Sequence, residues 1–161
     1  MSIMALDESY DQDLDLDFLD RRQLQVPNEN ELRFKWGTDG IQWAAYLDMT
    51  TEEIVMEATI PNKSYVAIGF GENMRGTDMI VWRWKDEYSG ADNLYSNGYS
   101  KPPSDGTNYL KTSISTSGDG KYKTFTTRRA LDTGHPKDFV VQPGKDIVMC
   151  YAYRTGNGNF I

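Results

Sequence analysis

Two apolar, β-prone runs joined by a short polar turn, Tyr65 to Phe70 and Asp78 to Trp84, constrain this chain more than any other feature. Tyr65, Val66, Ala67, Ile68 and Phe70 carry the branched and aromatic side chains that suit a pleated, half-buried surface. Gly69 and Gly71 then allow a sharp, close backbone path. Both runs read as strands gripping a loop, and both are expected to be central. The loop from Glu72 to Thr77 is polar and turn-like except for Met74. A thioether is out of place at a solvated hairpin tip, so Met74 is the residue to explain.

Similar runs recur along the chain. Glu31 to Trp36 and Ile41 to Leu47 flank the turn Gly37-Thr38-Asp39-Gly40 and read as a hairpin. Glu53 to Ile60 alternates, with Ile54, Met56 and Ala58 on one face, and Pro61 to Ser64 turns the chain into Tyr65. Ala91 to Tyr99 is a further strand, followed by a loop rich in Pro, Gly and Ser. Leu110 to Ser117 and Lys121 to Arg129 pair across Gly118-Asp119-Gly120. After a loop with two prolines, Asp146 to Tyr153 is nearly continuous in apolar residues and is expected to be a central strand. About nine strands at roughly 8–12-residue spacing, with no helical period, predict an all-β antiparallel sandwich.

At 161 residues the chain suffices for one domain with a real core. With a net charge of −7 and no basic face visible in the sequence, a nucleic-acid partner is disfavoured. No apolar run reaches membrane-spanning length. The single cysteine, Cys150, rules out an internal disulfide and a cysteine-based zinc or iron–sulfur cluster. The N-terminus has neither the basic region nor the apolar core of a signal peptide, so either the protein is not secreted or the chain is a trimmed form of a longer one.

Residues 1–30 stand apart. Asp7, Glu8, Asp11, Asp13, Asp15, Asp17 and Asp20 make a dense acidic segment that lacks the glycine and glutamate of a calcium-binding EF-hand loop and reads as a solvated tail. Leu14, Leu16, Phe18 and Leu19 leave open an edge strand lying along the domain. The folded domain is expected from residue 31 to 161.

Among candidate chemistries, a Ser-His-Asp site would have to use His135, the only histidine, and no GxSxG elbow accompanies it. Sites with two or three histidines are excluded. Carboxylates abound, but no spacing selects a pair for glycoside hydrolysis. There is no P-loop, and Gly69-x-Gly71 lacks the rest of a dinucleotide fingerprint. Two soft ligands remain, the Met74 thioether and the His135 imidazole, each in a loop beside aromatic-rich strands. Met and His together are an axial set for haem iron. With no CxxCH, such a haem would be held non-covalently. Spacing alone carries this weakly, because only the fold could bring the two residues together, and Met74 capping the core with His135 a bystander is the plainer reading.

Three stretches resemble the DOMON domain family. Residues 65–82 are similar to its pattern of apolar-Ala-apolar-Gly-Phe, a turn, then Met-x-Gly-x-Asp-apolar. Arg129-Ala130-Leu131-Asp132-Thr133 matches its Arg-x-Leu-x-Thr, and the closing Ile147 to Tyr153 strand matches in its Ala-Tyr. The resemblance implies an immunoglobulin-like antiparallel β-sandwich of about nine to eleven strands. Family members either bind haem b, as in the cytochrome domain of cellobiose dehydrogenase and in members joined to cytochrome b561, or lack haem and serve as recognition modules. Haem-binding members use a methionine after the Gly-Phe strand and a histidine before the last strand, and Met74 and His135 fall on these positions. The resemblance therefore implies a haem b electron-transfer module, not an enzyme, with Met74 and His135 on the iron. Phe70, Trp82, Trp84, Tyr99 and Tyr122 are candidate walls, and Arg75 or Arg83 a candidate propionate partner. It further implies a redox protein or membrane cytochrome as partner and an extracellular or lumenal location. The alternative is a haem-free module binding a carbohydrate or a protein, with Trp43 and Tyr99 exposed to stack on ligand.

Overall fold

A computed structural model describes residues 34–73, 75–98 and 108–156. Nine strands and no helix are found among them: β1 (Phe34–Thr38), β2 (Ile41–Asp48), β3 (Glu53–Pro61), β4 (Ser64–Gly69), β5 (Arg75–Lys85), β6 (Tyr88–Asn97), β7 (Lys111–Thr116), β8 (Tyr122–Ala130) and β9 (Cys150–Arg154). They form two antiparallel sheets, ordered β1-β2-β3-β8-β7 and β6-β5-β4-β9. The expected all-β sandwich is the fold of this chain. The acidic segment 1–30 lies outside the described residues, as do Met74 and Tyr99.

Local chemistry accounts for the ladders. Asp39 and Gly40 both take positive φ (45° and 78°), the mirror-image turn whose twist suits a two-residue hairpin, and they set the register Thr38↔Ile41. Strand β2 alternates, with Ile41, Trp43, Ala45 and Leu47 buried, as expected of a sheet with one face on the core. The main core lies between the sheets and includes Trp43, Met56, Ile68, Phe70, Trp82, Phe125, Ile147 and Met149. Trp82 donates its indole N–H to the Thr127 hydroxyl at 2.8 Å, so its one polar atom is satisfied in the interior.

Strands β4 and β5 are the inner pair of their sheet, as their apolar runs predict. Every residue of β4 is buried, and a second apolar cluster, Tyr65, Ala67, Met79, Val81 and Leu94, occupies the face opposite the main core. The last strand departs from expectation. The apolar run from Asp146 delivers only β9, which lies at the end of its sheet among the described strands, not at its centre. Ile147 and Met149 are nonetheless 2% and 1% exposed: residues 146–148 lie outside any ladder, and Met149 makes only an isolated bridge before β9 begins. Continuity of apolar residues reported burial there, not a central position. Cys150 is buried in β9, and burial pushes its thiol up to about 11, so it serves as a packing residue.

Candidate functional site at one end of the sandwich

The loop between β4 and β5 is built by its own polar groups. The Thr77 hydroxyl donates to the Asn73 carbonyl at 2.6 Å, and the Arg75 amide donates to Asn73 Oδ1 at 2.8 Å. Gly76 takes φ +61°, and the β5–β6 register shifts between Arg75 and Thr77, a bulge that turns the loop away from the ladder. A Cβ at Gly71 would lie 3.3 Å from Thr77 Oγ1, a tight contact in keeping with the close backbone path its glycine suggested. The loop closes where the Phe70 amide donates to the Asp78 carbonyl at 2.8 Å. Met74 itself lies outside the described residues.

His135 comes from the irregular chain between β8 and β9. Thr133 and Asp138 shape that stretch: the His135 amide donates to Thr133 Oγ1 at 3.2 Å, and the Asp138 amide donates to the His135 carbonyl at 3.1 Å. The imidazole is partly buried, with its side chain 19% exposed, and its Nδ1 lies 3.2 Å from Asp138 Oδ1. Tyr109 lies beside it, ring centroids 6.2 Å apart.

The two loops meet through a buried polar cluster. Arg129 and Asp78 form an ion pair at 2.6 Å with side chains 0% and 3% exposed. Asp78 Oδ2 also accepts the Phe139 amide at 2.8 Å, and Arg129 donates to the Phe139 carbonyl at 3.0 Å. Arg129 reaches Asn93 Oδ1 at 3.4 Å, and Asn93 Nδ2 donates to Asp138 at 3.2 Å. Burial raises the pKa of Asp78, against the opposing pull of Arg129 and the Phe139 amide. Above this cluster Phe70 stacks on Phe139, centroids 5.5 Å apart and 8° from parallel, with the Arg129 guanidinium 4.6 Å from the Phe70 ring centre. Asp78 is thus shared: its carbonyl closes the Met74 loop, and its carboxylate anchors the residue after Asp138.

Of the residues expected at the site, Phe70 and His135 stand at this end together. Arg75 is exposed at the loop base. Trp82 belongs to the packed interior, tilted against Trp43 at 6.5 Å. Trp84 and Tyr122 are placed at the other end: Trp84 follows Arg75 by nine residues along β5, about 30 Å of strand, and Tyr122 opens β8, which closes with Arg129 and Ala130. Arg83 pairs with Asp92 and lies over Tyr88. Trp43, expected to be exposed for ligand stacking, is only 1% exposed and packs in the core, because its place in the alternation of β2 points it inward. Sequence reasoning gave no role to Asp78, Asn93, Asp138, Phe139 or Tyr109. A usable signal existed for one buried residue, since Arg129 follows Phe125 and Thr127 at period two on the inward face of β8.

Among the described residues, no three His, Cys, Asp or Glu side chains are grouped so as to hold a metal ion. The metal-ligating donor described at this end is one imidazole, with the Tyr109 ring beside it. A lone imidazole suits a haem iron better than a carboxylate-ligated ion.

No curated protein matches the chain. Among solved structures, the cytochrome domain of Myriococcum thermophilum cellobiose dehydrogenase has a similar fold, with a TM-score of 0.57, at 13% identity over 79% of this chain and 70% of that one. The family model for the DOMON domain matches residues 37–154, from β1 through β9, and this chain belongs to the DOMON domain family.

Proposed function

We propose that this protein is a haem b-binding electron-transfer domain in which Met74 and His135 are the axial ligands. The observation that carries the reading is the position of the chain's only histidine. His135 is partly buried at the end where the Met74 loop is rooted, and its Nε2 makes no hydrogen bond among the described residues. Family membership and the fold shared with a cytochrome domain support it.

When bound, the haem supplies a one-electron iron couple; everything else is asked of the chain. Met74 and His135 would be the residues that hold the iron; with two protein ligands on it, the group would carry electrons and not bind oxygen or substrate, which suits a shuttle and not an enzyme. Phe70 and Phe139 pack on each other beneath this end, and Tyr109, which is exposed, stands beside His135 as the aromatic nearest a bound group. Arg75, exposed at the loop base, is the candidate partner of a propionate. The thioether raises the reduction potential relative to two histidines. A redox protein or membrane cytochrome on the extracellular or lumenal side of a membrane is the partner this reading implies.

The test is the absorption spectrum of the full chain expressed with hemin, oxidised and dithionite-reduced. The expected result is a sharp Soret band with resolved low-spin α and β bands on reduction. Met74→Ala and His135→Ala should each abolish the six-coordinate spectrum. A flat visible region in the folded, hemin-treated wild type would overturn the reading and leave a haem-free recognition module.

A further inference from the structure

The side chain that commands most of the buried hydrogen bonding near His135 is Asp138, and its carboxylate is 3% exposed. Oδ2 accepts the Thr133 hydroxyl at 2.7 Å. Oδ1 accepts Asn93 Nδ2 at 3.2 Å and lies 3.2 Å from His135 Nδ1. Asn93 is in turn oriented by Arg129, which donates to its Oδ1 at 3.4 Å, so its amide presents NH₂ to Asp138. Arg129 is fixed by Asp78 and by the Phe139 carbonyl. The carboxylate cannot swing away without breaking several of these contacts at once.

We propose that Asp138 is the positioning residue for His135: it holds the neutral imidazole as the Nδ1–H tautomer and fixes its rotation, leaving the Nε2 lone pair for a ligand bond. The chemistry is restrictive. An ionised carboxylate only accepts, so the ring nitrogen facing it must carry the proton. The other nitrogen is then the sole electron-pair donor of the ring. A ring held to a carboxylate is also a stronger donor than one held to a neutral group, and outer partners of this kind orient metal-binding histidines. The inference rests on the haem reading for its purpose, but not for its geometry.

Because the chain has a single histidine, its imidazole ¹⁵N signals are unambiguous in the full-length protein. At a pH where the ring is neutral and without hemin, the wild type should show the Nδ1–H tautomer. Asp138→Ala should shift the ring toward the Nε2–H form that free imidazole side chains favour. Asp138→Asn keeps an acceptor oxygen without the charge, so it should restore Nδ1–H. Loaded with hemin, that variant should give the wild-type spectrum with the oxidised form about tenfold less favoured, a rise in potential of about 59 mV. Nε2–H dominant in the wild type would overturn the proposal. So would an unchanged tautomer in a folded Asp138→Ala protein, or an Asp138→Asn potential equal to that of the wild type. If Asp138→Ala does not fold, the wild-type tautomer and the Asp138→Asn potential still decide. Nδ1–H in a wild type that takes up no hemin would support the clamp and overturn the haem reading.

Discussion

Arg129 occupies a place in β8 where the alternation calls for an apolar side chain, and it is fully buried there. What makes this tolerable is Asp78 at 2.6 Å, together with the Phe139 carbonyl and Asn93. Even so, Arg129 Nε and Asp78 Oδ1 have no hydrogen-bond partner, so part of the cost of desolvating the two charges is left unoffset. Its value is in holding two loops to one end. Arg129→Met leaves a buried carboxylate without its cation and should lower stability by about 3–5 kcal/mol in urea denaturation. Adding Asp78→Leu should recover much of that loss, since removing both charges removes the desolvation cost. A double variant no more stable than the single would show that the pair itself stabilises the fold. At this scale rarity is what draws the eye in the sequence: the chain has one histidine, and His135 lies partly buried beside Asp138. Asp138 does not stand out, because it is one acidic residue among 24 and only its contacts distinguish it.

Strands were legible wherever the period was clean. Strands β2, β3 and β8 came out within a residue or two of their expected limits, because alternation and turn chemistry agree there. The run before β9 misled because an extended chain that fills a core has the same composition as a central strand. The ends of β3 and β8 also carry an ion network that no pattern revealed. Arg128 bridges Asp48 at 3.0 Å and Glu53 at 3.1 Å, and Lys111 of β7 reaches Glu53 at 2.8 Å. The Lys111 bond is the main reason the Glu53 pKa lies below its ordinary 4.5, with Arg128 adding to it against desolvation. A carboxyl whose folded pKa is lowered contributes stability that is fully present above the unfolded value and is lost as pH falls through the folded one. Glu53→Gln should therefore be less stable than wild type at pH 7, with the difference vanishing as pH drops below about 4.5 in chemical denaturation. A difference that persisted undiminished in acid would mean that packing, not charge, is what Glu53 supplies.

For the molecule as a whole, charge is unevenly divided along the chain. Residues 1–30 contain eight of the 24 acidic residues and two of the 17 basic ones, so −6 of the net −7 resides there and the remainder is nearly neutral. On the proposed electron-transfer reading, long-range attraction to a basic partner would depend chiefly on the acidic segment, and the short-range contact would fall to the sandwich end with His135. Screening acts over about 10 Å at 0.1 M ionic strength, so an attraction of this origin weakens steeply as salt is added. With the hemin-loaded, reduced protein and a small basic cytochrome as acceptor, the second-order rate in stopped flow should fall as ionic strength rises. Changing Asp13, Asp15 and Asp17 together to Asn takes the net charge from −7 to −4 and should flatten that dependence. On the proposed haem reading, the rates of the two proteins should converge at high salt, because the triple substitution leaves the sandwich end with His135 unchanged. A slope unchanged by the triple substitution would place the attraction on the sandwich itself, where Asp132, Glu72 and other loop carboxylates near the His135 end would be the groups to neutralise next.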